Sequence, residues 1–372
     1  MIRAIGLMSG TSLDGIDAAI LETDGEHIVR PGPSLGVPYT AEERAVLRAA
    51  LEASKSWTAG EPMPEAVAEA ERLLTLAHAQ AVRKLLDMSG FKPADIDLIG
   101  FHGQTVLHQP EARRTVQIGM GDVLASLTGI DVINDFRSAD VAAGGHGAPL
   151  VPLYHQALVR SAGITEPVAI VNIGGVGNVT YVGLDGRLIA FDTGPGNALI
   201  DDWAHRHTGE PVDKDGALAE IGEVDVDVLS RLMQHEFFEA PPPKSLDRFS
   251  FARAAEAVAH LSPEDGAATL TAFTVEAIAR GVAHIPGMPS RFIVCGGGRH
   301  NPVLMRMLSE RLQGGVLPAE DLGWRGDDVE AEAFAYLAAR SLRGLPLSLP
   351  TTTGVPEPMP GGRLHKADRS KF

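Results

Sequence analysis

Gly6-Leu7-Met8-Ser9-Gly10-Thr11-Ser12-Leu13-Asp14-Gly15-Ile16-Asp17 links two apolar runs, Ile2 to Leu7 and Ile16 to Leu21. Short apolar runs on either side of a Gly-rich turn predict two strands of a hairpin. A plain hairpin turn needs only two or three such residues, so the longer loop Met8 to Gly15 points to a binding role. Its glycines let consecutive amides approach an anion, and the hydroxyls of Ser9, Thr11 and Ser12 add donors without bulk. Asp14 sits on the turn and Asp17 at the start of the outgoing strand. A carboxylate beside a phosphate cradle serves a hard cation such as Mg²⁺, often through water. For Asp17, a side chain bonding to the backbone at the hairpin end accounts equally well.

The same pattern recurs further along. Val168 to Ile173 reads as a strand, Gly174-Gly175-Val176-Gly177-Asn178 as a turn and Val179 to Val182 as the returning strand. Leu188 to Phe191 follows as a third strand that runs into Asp192-Thr193-Gly194-Pro195-Gly196-Asn197. Likewise the strand Ile96 to Phe101, entering His102-Gly103-Gln104-Thr105, has a counterpart in Phe292 to Cys295, entering Gly296-Gly297-Gly298. Apolar residues at three- and four-residue spacings predict helices over Ala41 to Ala53, Glu65 to Met88, Phe251 to His260, Thr269 to His284 and Val303 to Leu312. The repeated order implies two α/β lobes of duplicated architecture. A chain of 372 residues is long enough for two such domains. From Pro346 onward, Pro, Gly and Thr give way to basic residues, which predicts a solvated, partly disordered end.

Composition narrows the function. The net charge, 32 − 48 = −16, argues against a broad surface for nucleic acid or anionic lipid. An anionic ligand must therefore be held locally, by amides, a few cations or a metal. The single cysteine, Cys295, excludes an intrachain disulfide and a cysteine-rich zinc module. With no apolar run of signal-peptide or membrane-spanning length, the expected location is cytoplasmic, with no membrane partner. Gly-x-x-x-x-Gly-Lys-Ser/Thr, Gly-x-Ser-x-Gly and the His-Arg-Asp loop are all absent, which removes P-loop enzymes, serine hydrolases of the elbow type and protein kinases.

What remains is a set of small-residue loops at strand ends, where α/β folds bind ligands. Asp192, at the end of a buried strand and followed by Gly-Pro-Gly, is placed to accept a proton while the amides beyond it face phosphate. An isolated Asp there also suits a helix cap. Gly296, Gly297 and Gly298 permit a flat adenine or ribose to lie on bare backbone, or simply end the strand tightly. His102, Gln104, His108, His146 and His155 match no zinc spacing and suit hydrogen bonds to sugar hydroxyls.

Taken together, the loops resemble those of the actin, hexokinase and heat-shock chaperone ATPase superfamily. The wording of Gly6 to Asp17, Phe101 to Val106, Asn134-Asp135-Phe136-Arg137, Ala143 to Leu150, Asn172 to Gly175, Phe191 to Asn197, Gly296 to Pro302 and Glu330 to Ala335 resembles the anhydro-N-acetylmuramic acid kinase family. These blocks span nearly the whole chain. His146 departs from the Gln expected in its Gly-Gly-Gln-Gly-Ala-Pro block, and the region around Thr351 to Gly354 matches less closely.

The resemblance implies two similar lobes of the actin-like ATPase, ribonuclease H-like type, with an interlobe cleft. It divides the chain into lobe I, residues 1–140 completed by 341–372, and lobe II, residues 141–340. It implies an ATP- and Mg²⁺-dependent opening of the 1,6-anhydro bridge of the muramyl sugar with phosphorylation of its 6-oxygen, in peptidoglycan recycling. Asp192 would be the base that activates water. Gly10, Thr11, Ser12, Leu13, Asp14, Gly15, Ile16 and Asp17 would cradle the triphosphate, with Asp14 toward the metal. Gly174, Gly175, Gly194, Gly196 and Asn197 would form the second phosphate loop, and Gly296 to Gly298 would receive the adenosine. On the sugar side stand His102, Gln104, Thr105 and Glu330, with Arg137 for the lactyl carboxylate or, alternatively, in a salt bridge to Asp135 or Asp140. The expected partner is a small sugar, without nucleic acid, and the expected assembly a homodimer.

Overall fold

The computed structural model describes residues 1–10, 12–246, 251 and 253–368. Thr11 lies outside the described residues. The chain forms two compact α/β units, the first made of residues 1–163 and 328–372 and the second of residues 164–327.

In the first unit, β1 (Ile2–Met8), β2 (Gly15–Thr23) and β3 (Val29–Pro38) are consecutive antiparallel neighbours. β4 (Leu98–Phe101) adds to β1 in parallel and is followed in the chain by a separate hairpin, β5 (Gln104–Gln109) with β6 (Arg114–Ile118). β7 (Val132–Asn134) pairs parallel with β4. In the second unit β8 (Val168–Ile173), β9 (Val176–Val182) and β10 (Leu188–Pro195) repeat the antiparallel meander. β11 (Arg291–Cys295) and β12 (Gly315–Pro318) extend it in parallel. The final strand, β13 (Arg363–His365), returns to the first unit and pairs with β7. Read from the meander edge, the sheets run β3-β2-β1-β4-β7-β13 and β10-β9-β8-β11-β12. The five shared positions have the same order and the same strand directions. The fold is thus the duplicated α/β class expected from the repeated loops.

The units divide at 163/164 and 327/328, whereas the sequence placed the boundaries at 140/141 and 340/341. Packing explains the difference. The helix Val329–Leu342 lies on β1, β2 and β4. It approaches so closely that a Cβ on Gly6 would sit 1.7 Å from the Ala331 carbonyl oxygen, and one on Gly100 would sit 2.1 Å from that of Phe334. Gly6 and Gly100 are register partners on β1 and β4, so bare backbone on adjacent strands makes a seat for the helix. The helix Pro152–Ser161 joins the same unit, where Tyr154 donates its hydroxyl to buried Glu332 at 2.6 Å.

Three expectations need correction. The helix expected over Thr269 to His284 runs Pro263–Val282, capped by Ser262 Oγ on the Asp265 amide at 3.0 Å, with Pro at its first position. The helix expected over Phe251 to His260 reduces to Ala254–Ala257 among the described residues. The C-terminal segment is not a free tail up to residue 368. β13 extends the sheet, Lys366 pairs with Asp131 at 2.7 Å, and Thr353 Oγ1 donates to buried Asp140 at 2.6 Å. The residues 369–372 at its end lie outside the described residues.

Candidate active site

In the first unit the β1–β2 loop is anchored from beneath and open above. Leu13 adopts a left-handed backbone (φ 58°) and buries its side chain in the core, as does Ile16 on β2, so these two serve as anchors rather than contact side chains. The Leu13 amide donates to the Gly10 carbonyl at 3.2 Å. Ser12 and Asp14 are exposed, with Ser12 Oγ donating to Asp14 Oδ1 at 2.7 Å and the Gly15 amide to the same oxygen at 3.0 Å. Asp17 is exposed on β2, opposite Met8. The amides of Gly10, Ser12 and Asp14 have no acceptor among the described residues. Amides left open beside hydroxyls fit an anion such as a phosphate chain. The described residues hold no cluster of three or more His, Cys, Asp or Glu side chains suited to a metal. One exposed carboxylate, Asp14, fits Mg²⁺ of the kind that keeps its waters and is held mainly through phosphates.

Beyond β4 the polar residues converge. The His102 Nδ1 lies 2.7 Å from the Gly103 carbonyl, which places the proton there and leaves Nε2 as acceptor. Arg137 donates to that Nε2 from Nε at 3.1 Å and from Nη2 at 3.0 Å, while its Nη1 donates to the Gly147 carbonyl at 2.6 Å. Burial, and then the Arg137 charge, hold His102 well below the usual histidine range, so the ring is neutral. Arg137 is itself depressed to about 10 by burial, opposed by the charges of Glu330 and Asp140. The expected alternative, a salt bridge to Asp135 or Asp140, is not formed: among the described residues no carboxylate comes within ion-pairing distance of the guanidinium. Asp140 instead accepts the Gly147 amide at 2.6 Å together with Ser348 and Thr353, closing the 144–149 loop around itself. His146, the residue at the departing position, is fastened there by its amide, 2.7 Å from the Thr353 carbonyl.

Gln104 is 1% exposed, and neither its amide nitrogen nor its amide oxygen has a hydrogen-bond partner. Such a group is destabilising by about 1–3 kcal/mol until something satisfies it. Thr105 Oγ1 accepts from Gln117 Nε2 at 3.2 Å, and Glu330 lies half-buried in the first turn of the helix Val329–Leu342.

In the second unit three strand-end loops meet at Asn197. Its amide donates to the Gly174 carbonyl at 2.7 Å, its side-chain Nδ2 donates to the Ile173 carbonyl at 3.2 Å, and the Gly196 amide donates to the Gly175 carbonyl at 3.0 Å. A Cβ on Gly297 or Gly298 would touch the Asn197 amide group, so the 296–298 loop belongs to the same cluster. Gly296 is left-handed (φ 74°), and a Cβ there would meet Asn172 Oδ1 at 2.4 Å. Gly194 packs on Ala277 and contributes close packing rather than a facing amide.

Asp192 is no helix cap. It stands on β10 at a bulge, where the register with β9 shifts between Asp192 and Gly194. Bulges re-aim side chains, and this one frees Asp192 from simple alternation. Its amide donates to the Lys244 carbonyl at 3.0 Å, and the Leu246 amide donates to its Oδ2 at 2.7 Å. Burial pushes the carboxyl up to about 7, only partly offset by that hydrogen bond. A carboxylate poised near neutrality is matched to general-base work.

A family model for anhydro-N-acetylmuramic acid kinase matches residues 2–366. The chain belongs to the anhydro-N-acetylmuramic acid kinase family. Anhydro-N-acetylmuramic acid kinase of Paramagnetospirillum magneticum is 55% identical over 363 residues, covering 97% of this chain and 99% of that protein. The enzyme of the same name from Nitrobacter winogradskyi is 54% identical, with the same coverage. Among solved structures, component A of (R)-2-hydroxyglutaryl-CoA dehydratase from Acidaminococcus fermentans aligns over 92% of this chain and all of that one, at TM-score 0.48 and 11% identity. That likeness is too distant to assign any residue.

Within this kinase fold, sequence reasoning missed several supports. Arg299, 8% exposed, donates to Glu320 at 2.8 Å, to Asp327 at 2.8 and 2.7 Å and to the Gly296 carbonyl at 2.9 Å, fixing the glycine loop. Asp140 was read only as a partner for Arg137, and the Lys244 to Leu246 segment was passed over. An arginine directly after Gly-Gly-Gly was the available signal for the first, and a lysine after three prolines for the last.

Proposed function

We propose that this chain converts 1,6-anhydro-N-acetylmuramic acid, ATP and water into N-acetylmuramic acid 6-phosphate and ADP, as an enzyme of peptidoglycan recycling. The observation that carries the reading is Asp192, a carboxyl at a strand bulge held near 7 by burial. Asp192 takes a proton from water, and the water oxygen bonds to the anomeric carbon as the bond to the 6-oxygen breaks. That oxygen takes the γ-phosphoryl group as the bond to ADP breaks. Because phosphorus captures the departing oxygen, no separate acid is needed and one carboxylate suffices.

The remaining residues position and neutralise, which is most of what phosphoryl transfer requires. The open amides of Gly10, Ser12 and Asp14 hold phosphate oxygens. Mg²⁺ supplies charge neutralisation on the β- and γ-phosphates when bound, with Asp14 to hold it directly or through water. Gly296 to Gly298 receive the adenosine and Gly174, Gly175, Gly196 and Asn197 the phosphates. The half-buried Arg137, which has no carboxylate partner among the described residues, pairs with the lactyl carboxylate of the sugar. Gln104, with both amide atoms unsatisfied, takes one donor and one acceptor from the sugar, and neutral His102 keeps Arg137 in place. The described residues contain no helix long and apolar enough to cross a membrane.

Incubation with Mg-ATP and the anhydro sugar in water enriched in heavy oxygen tests this reading by mass spectrometry. The expected product is a sugar phosphate with one heavy oxygen at the anomeric carbon. A phosphorylated sugar with its bridge intact contradicts the coupled hydrolysis.

A further inference from the structure

Lys244 is 7% exposed, and among the described residues its ammonium group makes a single hydrogen bond, to the Phe237 carbonyl at 2.8 Å. The Nζ lies 4.5 Å from the centre of the Phe237 ring and 5.8 Å from that of Phe191, the residue before Asp192. Among the described residues no carboxylate pairs with it. Glu239, the charge that favours its protonated form, is itself engaged with Arg280 at 2.6 Å. A buried lysine without a counterion is destabilising unless it serves something else. Its backbone shows what that is. The Lys244 carbonyl accepts the Asp192 amide, and two residues on the Leu246 amide donates to the Asp192 carboxylate. Residues 244–246 therefore run along the outer edge of β10 and grip Asp192 at both its main chain and its side chain.

We propose that Lys244 is a positioning residue for Asp192. Its ammonium fastens the 244–246 segment to the short helical turn Glu236–Phe238, and the segment in turn aims the carboxylate and covers it. Phe238, on that turn, is buried in the core of the second unit, so the anchor is rigid. The ammonium acts through the segment rather than on the carboxylate directly, because the shift of Asp192 has burial and the Leu246 amide as its causes, with no contribution from Lys244. Among the described residues, His284 on this face is occupied at the Phe238 carbonyl, 3.0 Å away, and His235 caps the turn by accepting the Phe237 amide at 3.2 Å. Like the proposed function, this inference rests on Asp192 as the base.

The test uses the full-length protein as Lys244→Met, which keeps the apolar stem, and Lys244→Arg, which keeps a cationic donor. For Lys244→Met, kcat is expected to fall about 10²-fold, as for a misplaced catalytic group, while KM for sugar and for ATP holds. The acid limb of its pH profile moves to lower pH, because water reaching Asp192 removes the burial that raises it. Lys244→Arg recovers most of the rate and the original limb. Melting temperature and circular dichroism, measured alongside, separate misfolding from misplacement. A Lys244→Met protein with unchanged kcat and pH profile overturns the inference, as does a rate loss that only tracks the unfolded fraction while the limb stays put. If Asp192→Asn abolishes turnover and Lys244→Met is normal, this inference alone falls. If Asp192→Asn turns over normally, the assignment of the base falls, and this inference with it.

Discussion

Strands β3 and β10 occupy the same place in the duplicated topology, each third in its meander and at the edge of its sheet, yet they have opposite fates. β3 contains Pro31 and Pro33 and is largely exposed, with Val29 its only fully buried residue. β10 buries most of its length and carries a bulge, and a segment from elsewhere in the chain hydrogen-bonds along its outer side. An exposed edge keeps any carboxylate solvated and therefore acidic, whereas a covered edge desolvates one and raises it toward neutrality. Duplication supplies the frame in both units, and the cover laid over one edge is what makes a base there. The loops differ in the same sense. The β1–β2 loop leaves amides open, while the carbonyls of the β8–β9 loop accept from the Gly196 and Asn197 amides.

The largest expected effect comes from removing the feature that separates the two edges. Asp192→Asn should lower kcat by about 10²–10⁴-fold or more with ATP affinity retained, as measured by steady-state kinetics and nucleotide titration. The same variant should be more stable than the wild type at pH 8 and equal to it at pH 4. The raised folded-state pKa means the native protein holds a proton the unfolded chain has released, so stability falls as pH rises from the ordinary carboxylate value of 3.8 to about 7. Thermal melts at the two pH values check the sign. In the first unit, Arg137→Met should raise KM for the sugar by roughly 10- to 100-fold, in line with about 1.5–3 kcal/mol for hydrogen bonds to a charged group. KM for ATP should hold, so a loss confined to ATP would place Arg137 elsewhere. Gly100→Ala pushes a methyl into the Phe334 carbonyl and should destabilise the first unit by about 1–3 kcal/mol, read from denaturant midpoints. The smallest effect is expected of Thr353→Val, which removes one of the hydrogen bonds to Asp140, about 1 kcal/mol in the same measurement.

The strands that frame the loops were legible because short apolar runs bounded by glycines have few other readings. Val168 to Ile173 was delimited to the residue, and the loops after β8 and β11 began where the sequence put them, whereas β10 runs on through Asp192 to Pro195, residues expected as loop. Other features depend on partners far along the chain. The bulge at Asp192 exists only relative to β9, and its cover arrives from Leu246, 54 residues on. Asp140 is satisfied in part from Ser348, 208 residues away, which is why the C-terminal segment looked free in sequence and is packed in fact. Gly6 and Gly100 carry no mark in the sequence of the helix that needs them, because that helix is encoded more than 200 residues later. Arg137 left two readings open in sequence. Its hydrogen bonds to His102 and Gly147, with no carboxylate among the described residues at ion-pairing distance, favour the one that leaves it for a ligand.

The central claim is that a covered strand edge turns Asp192 into a base near neutrality, and the pH dependence of kcat tests it most directly. The wild-type enzyme should lose activity on the acid side with a midpoint near 7, and the residual activity of Asp192→Asn should lack that limb. An acid limb at the ordinary carboxylate value, or one that persists unchanged in Asp192→Asn, would contradict the account.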